Sequence, residues 1–340
     1  MRPQHRLFWF RRLAFAAALL AAAVIVLGAW VRLTDAGLGC PDWPGCYGHI
    51  YPQASHAGSH AGFQLGKALH EMIHRYFATT LGILIVALLI WAVRFRKDPD
   101  QPLLPVALLF GVICLQGALG ALTVSLLLKP LIVTLHLFGG LSTLALLCWL
   151  SQTPQTRQPT ASEIALRKYA VGALVALLIQ IGLGGWTSTN YAAVACPDFP
   201  TCQNSWWPRM DFRDAFVLWR GLGIDYQGGV LANPARVAIH FTHRLGALIA
   251  GSILIGVAML TLARARSRRL TYAGALLSVA VLLQISLGVA TVHWGVPLAL
   301  ATAHNAGAAL LVVSMVTLLR ALWPASSIGM VPLPRVDPPR

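Results

Sequence analysis

The sequence predicts an all-α membrane protein with eight transmembrane helices, arranged as two tandem four-helix bundles related by a pseudo-two-fold axis. Three observations carry that expectation. The 340 residues are 57% hydrophobic and only 11% charged, a balance foreign to soluble domains of this length. Apolar stretches of the roughly 20 residues that cross a bilayer occur at about 12–33, 69–93, 103–126, 130–151, 168–189, 236–262, 270–293 and 297–322. The third observation is that the chain repeats itself.

Cys40-Pro41-Asp42-Trp43-Pro44-Gly45-Cys46 recurs 156 positions later as Cys196-Pro197-Asp198-Phe199-Pro200-Thr201-Cys202, and Trp30 and Trp186 keep the same offset. Further along, the offset becomes 168 for Gln116 and Gln284, each in Gln-x-x-Leu-Gly, and for His136 and His304; it is 169 for His74 and His243. The change places an insertion of about a dozen residues in the third outer loop. Such a duplication constrains a fold more than any single motif. Four spans per half keep both halves in one orientation, so the repeat is parallel. The expected division is an N-terminal half over 1–151, a linker over 152–167 containing Pro154 and Pro159, a C-terminal half over 168–323, and a tail over 324–340.

Taken in order, the first stretch follows Arg11-Arg12, as a signal peptide would, but it lacks a small-residue cleavage site and runs on through Trp30 and Arg32. It reads as a retained span. The net charge of +15 could suggest nucleic acid, yet its distribution follows topology. Arg2, Arg6, Arg11 and Arg12 precede the first span, and Arg94, Arg96 and Lys97 follow the second. Arg157, Arg167, Lys168 and Arg264, Arg266, Arg268, Arg269 lie on the same side, with Arg320, Arg335 and Arg340 at the end. The positive-inside rule makes that side cytoplasmic, with both termini inside a bacterial inner membrane. Nucleic acid is not a partner on this reading; membrane lipid is.

Gly111, Gly117 and Gly120 on the third span, Gly139-Gly140 on the fourth, and Gly182, Gly184 and Gly185 on the fifth suit close helix packing. In the third outer loop Trp206, Trp207, Phe212, Phe216 and Trp219 alternate with Arg213, Asp214 and Arg220. That pattern predicts an amphipathic helix at the membrane surface.

Histidines carry the chemistry. His74 and His243 open the second span of each half; His136 and His304 lie on the fourth. One imidazole from each of two helices in a bundle is the arrangement that ligates a haem iron from both faces. Hydrogen-bonded packing explains one such histidine well, but four recurring in pairs poorly. His70 and His240 share helical faces with them nearer the water, where with Arg75 and Arg244 they would support the ligating rings or line the entry; His293 has no counterpart. Glu71 stands three residues before His74, where the second half has His240. A proton-handling or cation-stabilising role then belongs to the first half, the alternative being an ion pair with Arg75 or Lys67. His70-Glu71-x-x-His74 matches the zinc-protease pattern formally, in the wrong context. Cys40–Cys46 and Cys196–Cys202, in outer loops facing an oxidising compartment, are expected to form two intraloop disulfides, with a redox role open for the first pair. Cys114 and Cys148 are expected to be packed inside spans.

With these motifs the chain resembles the haem A synthase family: Glu71-Met72-Ile73-His74-Arg75, Leu135-His136, His243-Arg244, Ala303-His304-Asn305 and the loop cysteines match it over nearly the whole length. The resemblance implies an oxidoreductase that converts the C8 methyl of haem O to a formyl group, making haem A for cytochrome oxidase. It implies a haem b cofactor held by His243 and His304, and substrate haem O held by His74 and His136 with Glu71 near the reacting centre. Cys40 and Cys46 are implicated in activity or haem transfer. Haem O synthase and cytochrome oxidase assembly factors become candidate partners, and a homo-oligomer stays open. Two other readings remain at this stage: a di-haem b-type electron carrier, and a haem chaperone or transporter.

Overall fold

The structure, a computed structural model, describes residues 3–53, 64–153 and 157–323. The expected tail over 324–340 lies outside the described residues. Eight long helices account for most of the rest: α1 (Pro3–Leu33), α2 (Leu65–Arg94), α3 (Leu103–Ser125), α4 (Pro130–Ser151), α5 (Ala161–Thr189), α7 (Asn233–Arg264), α8 (Arg268–His293) and α9 (Leu298–Leu322). All eight are long and apolar enough to cross a membrane. In hydrocarbon a backbone must satisfy its own hydrogen bonds, and a helix does so within one segment. Among the described residues there is no strand, only isolated bridges at Cys46–His49 and Cys202–Ser205.

Helix ends follow local chemistry. Pro130 and Pro234 sit in the first turns of α4 and α7, where a missing N–H costs nothing. The α5 helix starts seven residues earlier than its apolar run, at Ala161, inside the stretch read as linker. A capping box explains this: the Thr160 side chain accepts from the Glu163 N–H, the Glu163 carboxylate accepts from the Thr160 N–H, and Arg157 pairs with Glu163 at 2.6 Å.

The third outer loop corrects the sequence reading. No amphipathic helix spans 206–220; a single turn, α6 (Phe212–Ala215), is all that forms. Pro208 disfavours helix in the residue before it, and Asp211 caps the turn by accepting from Arg213 and Asp214 N–H. Gly221, Gly223, Gly228 and Gly229 then adopt positive φ, which turns the chain back and forth where a helix would run straight.

Around the first half, α1 packs on α2 and α4, and α3 on α2 and α4. Around the second, α7 packs on α5 and α8, and α9 on α5 and α8. The two sets meet where α9 touches α1 and α4, and α4 touches α5. One apolar core joins all eight helices, from Phe10, Leu88 and Val106 to Leu166, Leu270 and Leu322. These residues lie towards the end where α1 begins and α9 finishes. Large apolar side chains such as Ile90, Leu104, Leu248 and Ile249 point outward, where lipid would meet them. The histidines sit at the opposite end, above the packed core.

Candidate active site: two pairs of histidines and a cavity

His74 occupies the third turn of α2 and His136 the second turn of α4; His243 and His304 take matching places on α7 and α9. Each ring leans on a glycine of the preceding helix. A Cβ added to Gly28, Gly184 or Gly288 would come within 2.9, 3.1 or 3.0 Å of Cε1 of His74, His243 or His304, and one on Gly120 within 3.6 Å of Cε1 of His136. The pairs Gly28/Gly184 and Gly120/Gly288 keep the 156 and 168 offsets of the repeat. These glycines therefore make room for rings. Gly28 and Gly288 were missed from the sequence, although the offset pointed to both.

The surroundings of the two pairs differ. In the second half the Gln180 amide lies 2.9 Å from His243 Nδ1, and the Gln284 amide 3.3 Å from His304 Nε2. In the first half Val24 stands at the place of Gln180, and Nδ1 of His74 and of His136 is buried without a hydrogen-bond partner. Gln116, the counterpart of Gln284, also leaves its amide nitrogen unpartnered.

A cavity of about 680 Å3 opens in the first half and is lined by both His74 and His136. That volume falls within the roughly 300–1,000 Å3 of ligand and cofactor sites. Most of its wall is apolar, from α1 to α4, with Glu71, Arg75 and Arg32 at the loop end. Cys114, expected to be packed away, is instead exposed and lines the cavity; Cys148 is buried.

Glu71 is almost fully buried. Its Oε1 lies 2.5 Å from Arg75 Nη2 and its Oε2 accepts from the Cys40 N–H at 2.9 Å. The ion pair that the sequence offered as the alternative is thus present, on the cavity wall. Arg75 also donates to the carbonyls of Asp42 (2.8 Å) and Gly45 (2.6 Å). Arg244 does the same for the second loop, donating to Thr201 and Cys196 carbonyls at 2.7 and 2.8 Å, with His240 beside it at 3.3 Å. Glu71 and His240 therefore fill equivalent niches behind equivalent arginines. His70 meets Trp30 edge-on at 6.2 Å. With Glu71 turned to Arg75 and Cys40, the His-Glu-x-x-His match serves the disulfide loop rather than zinc.

Both expected disulfides form, Cys40–Cys46 and Cys196–Cys202, with Cα atoms 4.8 and 4.6 Å apart. Inside the first loop Asp42 accepts from Tyr47 and Gly48 N–H; inside the second, Asp198 accepts from Gln203 and Asn204. Burial works against ionisation of Asp42, but the Gly48 and Tyr47 amides and Arg75 outweigh it and hold the carboxyl below its usual range.

The halves join at this end through polar contacts. Arg32, closing α1, donates to the Ser188 carbonyl at 2.7 Å, lies 3.4 Å from Asp35 and stacks over the Tyr191 ring at 4.2 Å. The Tyr191 hydroxyl donates to Asp35 at 2.6 Å. Arg32/Ser188 and Asp35/Tyr191 are each 156 positions apart, so equivalent positions of the repeat touch one another.

Residues 11–316 match the COX15-CtaA family, described as cytochrome oxidase assembly protein. The chain is 42% identical over 333 residues to a protein of Shewanella oneidensis named "Heme A synthase", covering 95% of this chain and 98% of that one. Proteins of the same name from Bacillus licheniformis and Caulobacter vibrioides are 25% and 28% identical over 83% and 87% of this chain.

Proposed function

The chain belongs to the COX15-CtaA family of cytochrome oxidase assembly proteins, and from that membership and its site we infer that it is an oxidoreductase that converts haem O to haem A. The finer chemistry is two successive hydroxylations of the C8 methyl, each a two-electron oxidation that draws an oxygen atom and an electron acceptor from outside the chain, with loss of water from the gem-diol to leave the formyl group. The observation that carries this reading is the cavity shared by His74 and His136, which has room for a flat apolar substrate and leaves Nδ1 of both rings unpartnered, where the second pair leaves only Nδ1 of His304 so. We assign haem O to that pair, within two bundles related by a pseudo-two-fold axis, as the contacts between equivalent positions support.

Haem b fits the second pair. An imidazole that binds iron through Nε2 carries its proton on Nδ1; here the Gln180 NH2 faces Nδ1 of His243 and donates to the His243 carbonyl, and turning the amide over, at the loss of that carbonyl bond, would bring its oxygen to accept the proton. The Gln180 oxygen is otherwise buried without a partner, and such an outer hydrogen bond is what orients a ligating histidine. A haem held by His243 and His304 supplies one-electron redox chemistry. The protein's own contribution lies in the first half: the apolar wall excludes water, the paired histidines orient the ring, and Glu71, fixed between Arg75 and the Cys40 amide, presents a carboxylate at the cavity wall for proton handling. The placement at the loop end fits an inner-membrane protein with both termini cytoplasmic. Haem O synthase and oxidase assembly factors are the partners this reaction calls for, upstream and downstream.

The test is the haem extracted from cells expressing the chain together with a source of haem O. Haem A or its hydroxylated intermediate should accumulate. If only haem O is recovered while the purified protein carries two b-type haems, the chain is an electron carrier and the enzyme assignment fails. His243→Ala and His304→Ala should each remove the resident haem b spectrum; retention in both would overturn the cofactor assignment.

A further inference from the structure

We propose that Arg32 is the anchor for a carboxylate of the substrate haem, and that through it the protein sets which edge of the ring faces the loop end of the cavity. The inference rests on the assignment of haem O to the His74/His136 cavity and adds a positioning residue to it.

Two guanidinium groups line that cavity, Arg32 and Arg75, and they differ in what they have left to give. Arg75 has Nη2 on Glu71 and Nη1 among the carbonyls of Asp42, Pro44 and Gly45. Arg32 commits one Nη to Ser188 and makes only a long 3.4 Å contact with Asp35. A guanidinium has five N–H donors in a fixed fork, so Arg32 keeps donors for an incoming anion. It is also held in place. Its side chain is 15% exposed, and the Tyr191 ring and the Ser188 carbonyl fix the plane, so little freedom is lost when a carboxylate arrives.

The second half gives the contrast. The position equivalent to Arg32 is Ser188, whose side chain offers no cation. The repeat therefore places this charge at one site only. Asp35 lines the cavity beside Arg32, but its Oδ1 accepts from the Tyr191 hydroxyl; a haem has two propionates on one edge and is apolar elsewhere, and with one available cation at the mouth of a mostly apolar cavity the propionate edge turns to that cation. The C8 methyl of haem O shares a pyrrole ring with one propionate. Fixing that propionate at Arg32 keeps the reacting methyl at the loop end, the end where Glu71 lies.

The experiment uses the purified full chain carrying its resident haem and titrates in haem O, or haem O dimethyl ester, following the absorption change on binding. The free acid should bind about 10- to 100-fold more tightly than the ester, the span of one charge-assisted pair. Arg32→Gln should erase that ratio by weakening the acid alone, and Arg32→Lys should keep most of it. The resident haem spectrum reports that each variant is folded. Tyr191→Phe, which frees Asp35 without removing the cation, should leave the ratio intact and guards against a general loosening of the junction. An unchanged acid-to-ester ratio in Arg32→Gln, with both ligands still bound, sinks the Arg32 assignment alone. Failure of either ligand to bind the wild-type chain, or binding unaffected by His74→Ala with His136→Ala, overturns the substrate-site reading and this proposal with it.

Discussion

Four glycines hold the four rings, and each substitution has a defined target. A Cβ on Gly28 would press on His74 closer than real Cβ contacts allow, and one on Gly184 would crowd His243 more tightly than most do. Gly28→Val should therefore weaken haem O binding while sparing the resident haem, and Gly184→Val should do the reverse. Reconstitution followed by absorption of each haem separates the two; equal losses in both variants would mean the halves do not bind independently. Gln180→Leu addresses electronics rather than space. With the amide turned to accept from Nδ1 of a haem-ligating His243, its loss makes the imidazole a weaker donor, so the resident haem's potential should rise and its retention fall by about 10–100-fold. Redox titration of the purified variant measures the first, and dialysis against a haem acceptor the second.

At the scale of elements, the two disulfide loops are miniature folded units. Each is closed by a cystine, threaded by an aspartate that caps two backbone N–H groups, and pinned to a helix by the arginine after a histidine. Asp42 has a lowered folded pKa, so its contribution to stability is complete above the ordinary carboxylate value of 3.8 and is lost as pH falls through the lower folded value. Protection of the Tyr47 and Gly48 amides, measured against their intrinsic exchange rates, should thus stay high at pH 5 and fall only below 3.8. Loss of protection already between pH 6 and 5 would show that the cap is not formed. The insertion in the third outer loop reaches across to the first half. Lys129, just before α4, is 2% exposed, lies 3.9 Å from the Trp219 ring and donates to Gly221, while Tyr226 N–H donates to Leu127. Lys129→Ala should remove a desolvated cation–π contact of about 2 kcal/mol and expose 219–226 to protease sooner than in the wild-type chain. An unchanged cleavage rate would argue that the loop is held by its apolar contacts.

At the scale of the whole molecule, the eight spans and the four histidines were legible because hydropathy and a repeating offset are one-dimensional signals. The disulfides were legible for the same reason, as a motif copied intact. What stayed hidden is whatever crosses between copies. Nothing in the periodicity links Lys129 to Trp219, or Arg32 to Ser188, because those contacts depend on how the halves face one another. The aromatic loop misled in the opposite direction: its composition suits a helix, but Pro208 and the glycines from 221 to 229 act through dihedrals that hydropathy does not register. Glu71 was legible as a singular residue, with an ion pair to Arg75 as one of its two readings; what stayed hidden is the set of loop carbonyls that fix Arg75, which lie some thirty positions away in sequence.

The contact between positions 32 and 188 bears on ancestry. Where two identical subunits pack about a dyad, a residue near the axis meets its own copy. An arginine at that place would then face an arginine, and an aspartate an aspartate, each pair repelling. Gene fusion releases the constraint, since each copy mutates alone. Here one copy carries Arg32 and Asp35 and the other Ser188 and Tyr191, and the like-charge conflict has become a cation held by a carbonyl and a phenol held by a carboxylate. The proposed division, substrate in one half and cofactor in the other, calls for such a break in symmetry at the seam, which a homodimer of identical halves does not have.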